Sequence, residues 1–451
     1  MDGVSALEVK KADQLIQDLP WKWGVQGRIF LICGLALVFD AWDVLMSGFL
    51  IPLLGNSDWH PSNTALGLFG SASLVGMAIG AFFWGTTADI IGRKRSLVLT
   101  LVVYSVFSLV SAASPNYASL IVLRFITGLG LGGCIPIAFS LVAEFMPSVQ
   151  RGMAVTAMNI WWPIGGTLNG IVATALLPYN NWRLLPLTMI LPIFLIIWVV
   201  YEVPESALYL MRRGKEAEAR AVIDDLIKRT GANVGSWELP KPEAAIPSFR
   251  GFFLHLGDVW AWNWRITLAV WGMLVANLLL SYGVITWLPG ILVSSGYGLY
   301  RAYLFATWMN AVGIVATLVA AWLANRYGRK WIIVVTGIIA AVFMVLFTVY
   351  ITDPGTARWL LLAYAFMNLM VSSTMYSYAP EVFPTLLRGT GFGGASTASR
   401  IAAGMVPVIF GAWLWPSLGL TNTFIAILGL IVIANLWLAI AGPETLGSRL
   451  E

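Results

Sequence analysis

Charge is the scarcest resource in this chain. Only 11% of its 451 residues are Asp, Glu, Lys or Arg, whereas 59% are hydrophobic and 13% aromatic. Water-soluble domains carry roughly 25% charged residues, so a soluble fold of this length lacks the polar surface it needs. Histidine and cysteine are also rare, with two His (His60, His255) and two Cys (Cys33, Cys134), both cysteines lying inside apolar runs. This leaves no ligand set for zinc or an iron–sulfur cluster and no disulfide framework, so neither a metal nor a cofactor is expected. A Gly-x-x-x-x-Gly-Lys-Ser/Thr loop is missing, which excludes ATP-driven work by this chain alone. No constellation for covalent chemistry appears, and the chain is not expected to be an enzyme. Its net charge of +5 is a matter of placement, as shown below, with no bearing on nucleic acid.

What the chain has instead is long apolar runs. A membrane-crossing helix needs about 20 mainly apolar residues. Twelve such runs lie at 29–54, 65–88, 96–113, 118–145, 152–178, 184–201, 266–292, 302–324, 331–351, 358–380, 389–415 and 421–441. They are too long and too uniformly apolar for the alternating strands of a barrel. The expected class is an all-α membrane protein in a lipid bilayer. The first run is preceded by Lys10, Lys11, Lys22 and Arg28 and is followed by no small-residue cleavage pattern, so it is read as a retained span.

Of the 27 Lys and Arg, Arg124 and Arg400 fall inside spans. Arg183, Arg301 and Arg358 fall in one set of loops, and all the others in the opposite set and the termini. The positive-inside rule puts that opposite set, with both termini, in the cytoplasm. Short external loops without a cysteine pair suit a bacterial inner membrane. The expected organisation is an N-terminal arm (1–28), a six-helix bundle (29–201), a polar connection (202–265), a second six-helix bundle (266–442) and a tail (443–451). Between Glu205 and Arg229, Leu208, Ala217, Ala221, Val222 and Leu226 recur at helical spacing and predict an amphipathic helix. The stretch containing Pro240, Pro242 and Pro247 reads as linker.

The sequence repeats itself at an offset of about 237. Asp89-Ile-Ile-Gly92-Arg93-Lys94 returns as Asn325-Arg-Tyr-Gly328-Arg329-Lys330. Glu144-Phe-Met-Pro147 with Arg151-Gly152 returns as Glu381-Val-Phe-Pro384 with Arg388-Gly389, and Pro204-Glu205 as Pro443-Glu444. Three matches in the same order mean two parallel six-helix repeats, the architecture of alternating-access carriers with a site near the bilayer midplane.

These residues resemble the major facilitator superfamily. Gly85-x-x-x-Asp89-x-x-Gly92-Arg93-Lys94 is similar to its signature loop between spans 2 and 3. Arg124 with Gly128, Gly130 and Gly132, the Glu-x-x-Pro and Arg-Gly pairs, Pro204-Glu205-Ser206 and Pro443-Glu444-Thr445 resemble the fuller motif set of the sugar porters. Span 7 departs from that set: it reads Asn277-Leu-Leu-Leu-Ser281-Tyr282-Gly-Val-Ile-Thr286-Trp287-Leu-Pro289, where sugar porters carry glutamines and a Gly-Ile-Asn segment for sugar hydroxyls. Together with Phe39-Asp40-Ala-Trp-Asp43-Val on span 1, it is more similar to the nicotinate (niacin) transporters and neighbouring metabolite:proton symporters. The resemblance implies a major facilitator fold and secondary import of a small organic anion, nicotinate foremost, by proton symport. Other readings are a proton-coupled aromatic acid or sugar carrier, or a non-transporting receptor on the same fold. A monomer is expected.

The resemblance also implies roles for the helix-end charges. Arg93, Arg151, Arg329 and Arg388 stand beside Asp89, Glu144, Glu205, Glu381 and Glu444, and in the family such residues form inter-helix ion pairs that close the cytoplasmic side. Pairs worth about 1 kcal/mol each bias a two-state element without locking it.

Inside the membrane an ionisable group costs about 3 kcal/mol or more and persists with a partner or a purpose. Excluding helix ends there are four, Asp40, Asp43, Arg124 and Arg400, whose charges cancel. Asp40 and Asp43 are three apart and share a helical face. In the resembling sugar porters a span 1 Asp faces the span 4 Arg and loses that bond on protonation, which makes Asp43, or Asp40, the partner of Arg124 and the proton-coupling acid. Arg400 then either binds a substrate carboxylate, whose planar shape it matches, or pairs with Asp40 as a gate. The rest of the expected cavity is amide and aromatic. Asn159, Trp162 and Asn169 come from span 5, Asn277, Ser281 and Tyr282 from span 7, Trp308 and Asn310 from span 8, and Asn368, Ser372 and Tyr376 from span 10. A few amides among rings suit a small flat heterocycle with one acceptor atom.

Overall fold

A computed structural model describes residues 10–234, 237–239, 249–384 and 387–446. Among them, twelve helices are long and apolar enough to cross a membrane. Spans 1 to 6 are Trp23–Gly55, Asn63–Ile91, Arg93–Ser111, Tyr117–Phe145, Ser148–Tyr179 and Leu184–Glu202. Spans 7 to 12 are Leu256–Ser294, Leu299–Ala324, Lys330–Val349, Pro354–Val382, Arg388–Leu418 and Leu420–Ala441. Local chemistry sets their ends. Ser62 caps span 2 through its hydroxyl, Asn116 and Ser119 form a reciprocal capping box at span 4, and Asp353 caps span 10 ahead of Pro354. The sharp turns after spans 2 and 8 place Gly92 at φ +106 and Gly328 at φ +89, a region that side chains resist, which is why the repeated loop needs glycine there.

Span 7 begins earlier than its apolar run because a preceding helical segment runs into it across Asn263, whose backbone leaves the helix (φ −162, ψ 90). The Asn263 Oδ1 then accepts from the Ile266 N–H at 3.2 Å and restarts the helix. Around this break, Trp260 lies against Trp271, Trp262 against Phe383 and Trp264 against Trp437. Such a tryptophan belt suits a membrane–water boundary.

The polar connection holds two helices, Ala207–Arg212 and Glu216–Thr230, parted at Gly214 (φ +68). The expected apolar face is displaced. Ala217 and Ala221 are exposed, and the buried stripe of the second helix is Ala219, Ile223, Leu226 and Thr230. It packs with Leu210, Met211 and with Leu15 and Ile16 of a short helix in the N-terminal arm, Ala12–Asp18. The arm is further tied down by a two-residue parallel ladder, Lys10 with Trp237 and Lys11 with Glu238. Pro240, Pro242 and Pro247 lie outside the described residues.

The two six-span halves meet at the end of the bundle opposite the termini. Spans 1 and 7, 2 and 11, and 5 and 8 form the contact. A Cβ added to Gly67 would stand 2.7 Å from the Pro407 carbonyl oxygen, and one added to Gly48 would collide with that of Ile285. The Tyr303 hydroxyl donates to the Phe49 carbonyl, and the Val408 N–H donates to the Ser71 hydroxyl at 3.2 Å.

Candidate substrate and proton site

The intramembrane charges sort into two unlike sets. Asp43 and Arg124 are both 0% exposed and form a salt bridge, with Nη1 at 3.0 Å from Oδ1 and 3.2 Å from Oδ2. Arg124 Nη2 also donates to the Asp43 carbonyl at 3.2 Å and to the Ser47 hydroxyl at 2.9 Å. Ser108 of span 3 completes the cluster, donating to the Asp43 carboxylate and accepting from Arg124 Nη1 at 3.3 Å. The guanidinium lies over the Phe69 ring, 5.6 Å from its centre. Ser47 follows Asp43 by four residues and so shares its face, a signal present in the sequence. Ser108 carried no such signal.

Asp40 is equally buried at 0% exposure, yet neither carboxyl oxygen has a hydrogen-bond partner. The fields that reach it are those of Arg400 and Asp43. Its own charge reaches Tyr104, Cys134 and Tyr282. Arg400 is half-buried, and its Nη1 is buried without a hydrogen-bond partner. The Arg400 field also covers Tyr282 and Tyr376. Asp40, Arg400, Tyr282 and Tyr376 therefore form one electrostatic neighbourhood built from spans 1, 7, 10 and 11. Asp40 and Arg400 share it without a direct ion pair.

The other candidate residues disperse. Asn277 donates to the Met273 carbonyl at 2.8 Å, and its Oδ1 would lie 3.2 Å from a Cβ on Gly337, so it looks toward span 9 and away from the interface of the halves. Asn368 accepts from Ser281 at 3.0 Å, which ties span 10 to span 7 inside the second half. Asn310 donates to the Ala306 carbonyl at 2.9 Å and abuts Gly166 of span 5, in the contact between halves. Trp308 is two residues away, about 200° around the helix. It is 38% exposed and lies on the outer stripe with Val315, Leu318 and Trp322, so it does not join the site. Asn159 donates to the Thr156 carbonyl at 3.1 Å, Trp162 is half-buried, and Asn169 is fully buried with neither amide atom bonded.

At the terminus-bearing end the charges pair within each half. Arg93 bonds Glu144, and Arg329 bonds Glu381 at 2.9 Å. Asp89 is exposed and acts on Arg93. Glu205 and Glu444 depart from the arginine-pairing expectation. Glu205 accepts the Lys94 N–H at 2.9 Å and the Arg95 N–H at 3.5 Å. Glu444 accepts the Arg329 N–H at 2.9 Å and the Lys330 N–H at 3.2 Å. Each carboxylate thus caps the first turn of a span, 3 or 9, where free amides and the helix dipole favour an anion. Arg151 lines a cavity of about 220 Å³ with Glu144, Ser140, Ile16 and Leu208. Arg388 acts on Glu381.

Comparison with known proteins gives a consistent picture. The family described as "Sugar (and other) transporter" matches residues 31–451. A niacin transporter of Acinetobacter baylyi, NiaP, is 30% identical over 100% of this chain and 99% of its own length. A putative niacin/nicotinamide transporter of Bacillus subtilis is 28% identical over 94% of this chain and 98% of its own. A 4-hydroxybenzoate transporter of Acinetobacter baylyi, PcaK, is 29% identical over 95% and 93%. Among solved structures, a partially occluded inward open form of the E. coli xylose transporter XylE superposes with a TM-score of 0.75 at 20% identity, covering 94% of this chain and 99% of that one.

Proposed function

The chain belongs to the sugar (and other) transporter family, and from that premise we propose that this twelve-span membrane transporter imports nicotinate by proton symport with alternating access. Arg400 carries the reading. A guanidinium with a buried, unbonded N–H, whose field reaches Tyr282 and Tyr376, suits a carboxylate on a small aromatic ring. The full-length similarity to niacin transporters supports the heterocycle. Similarity to 4-hydroxybenzoate transport supports a second reading, a benzoate-type acid that would use the same cation.

Both termini are assigned to the cytoplasm on the Lys and Arg placement, and the host membrane to the bacterial inner membrane. The contact between halves then closes the outer side, and the site faces inward. Proton coupling falls to the intramembrane acids, Asp40 and Asp43.

The test is uptake of labelled nicotinate into proteoliposomes. A symporter accumulates it above equilibrium under an imposed acid-outside gradient, and a protonophore collapses the gradient. A receptor binds without flux, and a uniporter equilibrates without accumulating. Selective uptake of 4-hydroxybenzoate in place of nicotinate would move the assignment to the second reading.

A further inference from the structure

The two halves differ at the turn that their repeat shares. Aligning Gly92 with Gly328 sets Thr86, Ile90, Ile91 and Arg95 of the first half opposite Trp322, Arg326, Tyr327 and Trp331 of the second. Lys94 falls opposite Lys330, and the acid Asp89 aligns with Asn325. Three aromatic rings therefore stand at the second turn alone, and the acid is gone from it.

In the first half protein covers this turn. Tyr209 donates its hydroxyl to the Ile90 carbonyl at 3.0 Å and Arg213 donates to the same oxygen at 2.7 Å, so the helix Ala207–Arg212 lies across it. Lys94 Nζ donates to the Val200 carbonyl at 2.7 Å. In the second half the nearby acids are engaged elsewhere, Glu444 on backbone N–H groups and Glu381 on Arg329. Among the described residues, neither the Arg326 nor the Lys330 side chain has an ion pair or a hydrogen bond. Each lies over rings instead. Arg326 is 5.7 Å from the centre of Trp322 and 5.5 Å from that of Tyr327, and Lys330 Nζ is 5.2 Å from that of Trp331. All three rings are more than half exposed.

The cations sit where two outward apolar stripes end. On span 8, Val315, Leu318 and Trp322 recur at helical spacing, and the next position in the series is Arg326. On span 9 the stripe starts at Trp331, beside Lys330, and continues through Val335 and Val342. Exposed apolar side chains along a span face acyl chains, and rings mixed with cations mark the headgroup level.

We propose that the turn between spans 8 and 9 binds an anionic phospholipid, its phosphodiester held by Arg326 and Lys330 and its acyl chains lying along residues 315–322 and 331–342. Uncompensated cations at this level favour a lipid with net negative charge. A zwitterionic lipid fits less well, since it brings an ammonium to a corner whose carboxylates are already bonded. The matching turn of the first half, covered by Ala207–Arg212, holds no such lipid.

Native mass spectrometry of the purified full-length chain, titrated with phosphatidylglycerol or phosphatidylcholine of identical chains, tests this. Phosphatidylglycerol is expected to bind the wild type more tightly than phosphatidylcholine. Its tightest adduct should weaken about 30-fold in Arg326→Gln/Lys330→Gln, the worth of two cations near an anionic headgroup. Equal affinity for the two lipids, or an unmoved adduct in the double variant, would overturn the proposal. Arg95→Gln, at the matching first-half turn, is expected to leave the adduct unchanged; a loss equal to that of the double variant would reduce the site to diffuse charge. In detergent without lipid, both variants should unfold at the wild-type temperature. Added phosphatidylglycerol should raise that temperature in the wild type and Arg95→Gln, and an equal rise in the double variant would count against the site. Inorganic phosphate is expected to leave the adduct in place, and its displacement would replace the lipid with a soluble anion. None of these readouts involves a transported solute, so the site is tested apart from the nicotinate reading.

Discussion

The two carboxylate–guanidinium sets in the membrane have the same composition and opposite designs. Asp43 and Arg124 sit within one half and hold each other through direct bonds and two serines. Asp40 and Arg400 come from different halves, feel each other's field and are not bonded. A bonded buried pair is costly to disturb, because removing one partner leaves the other charge enclosed and uncompensated. An unbonded one remains available to ligands. The contrast separates a bonded pair from an unbonded one, although the two aspartates are the same residue type in the sequence and so are the two arginines.

The largest effect should come from breaking the bonded set. Arg124→Leu leaves the Asp43 charge enclosed without a cation and is expected to cost about 3–5 kcal/mol, visible as a steep fall in the thermal unfolding temperature of the detergent-solubilised protein. An unchanged unfolding temperature would mean that the pair is no strut. Breaking the unbonded set should spare the fold and cost function. Arg400→Ala is expected to keep the unfolding temperature within a few degrees and to weaken nicotinate binding roughly 10–100-fold, the worth of a charge-assisted hydrogen bond of about 1.5–3 kcal/mol; an unaltered Kd would remove Arg400 from the site.

Smaller effects sharpen the comparison between halves. Glu205→Ala and Glu444→Ala each remove one helix cap and should cost about 1 kcal/mol apiece. Hydrogen exchange is expected to rise in the first turn of span 3 for the former and of span 9 for the latter. Spread of either effect into the opposite half would show that these carboxylates bridge the halves. Trp308→Ala marks the lower bound. From an outward stripe it should change nicotinate affinity by no more than about 0.5 kcal/mol, and a larger loss would return Trp308 to the site.

The fold was largely legible. Apolar runs bounded by charge carry the span count because a bilayer admits little else than helices, and the repeat places the second half on the first. The four intramembrane charges were legible for the same reason. Which acid pairs with Arg124 was harder, since Asp40 and Asp43 share a face, and what divides them is Ser108, a serine on another span. The motif acids Glu205 and Glu444 read as partners for arginine because side-chain charge is visible in a sequence and backbone amides are not. Trp308 and Asn310 are neighbours in the chain, though helical geometry turns them apart. The N-terminal helix Ala12–Asp18 is silent in the sequence because Leu15 and Ile16 are too few apolar residues to signal an element alone, and they make sense only against Met211 and Ile223.

The far end of the bundle has a consequence for how the molecule is shut. At the terminus-bearing end the named charge pairs lie inside each half, whereas at the far end the halves touch through backbone at Gly48 and Gly67, glycine fitted against carbonyl. Among the described residues the contacts named at this seal are glycines, carbonyls and the hydroxyls of Ser71 and Tyr303, with no ion pair for salt to screen. A methyl group is its natural wedge. Gly67→Ala would prop that seal ajar and shift the resting carrier toward the opposite side, turning sidedness into a property set by a single carbon atom.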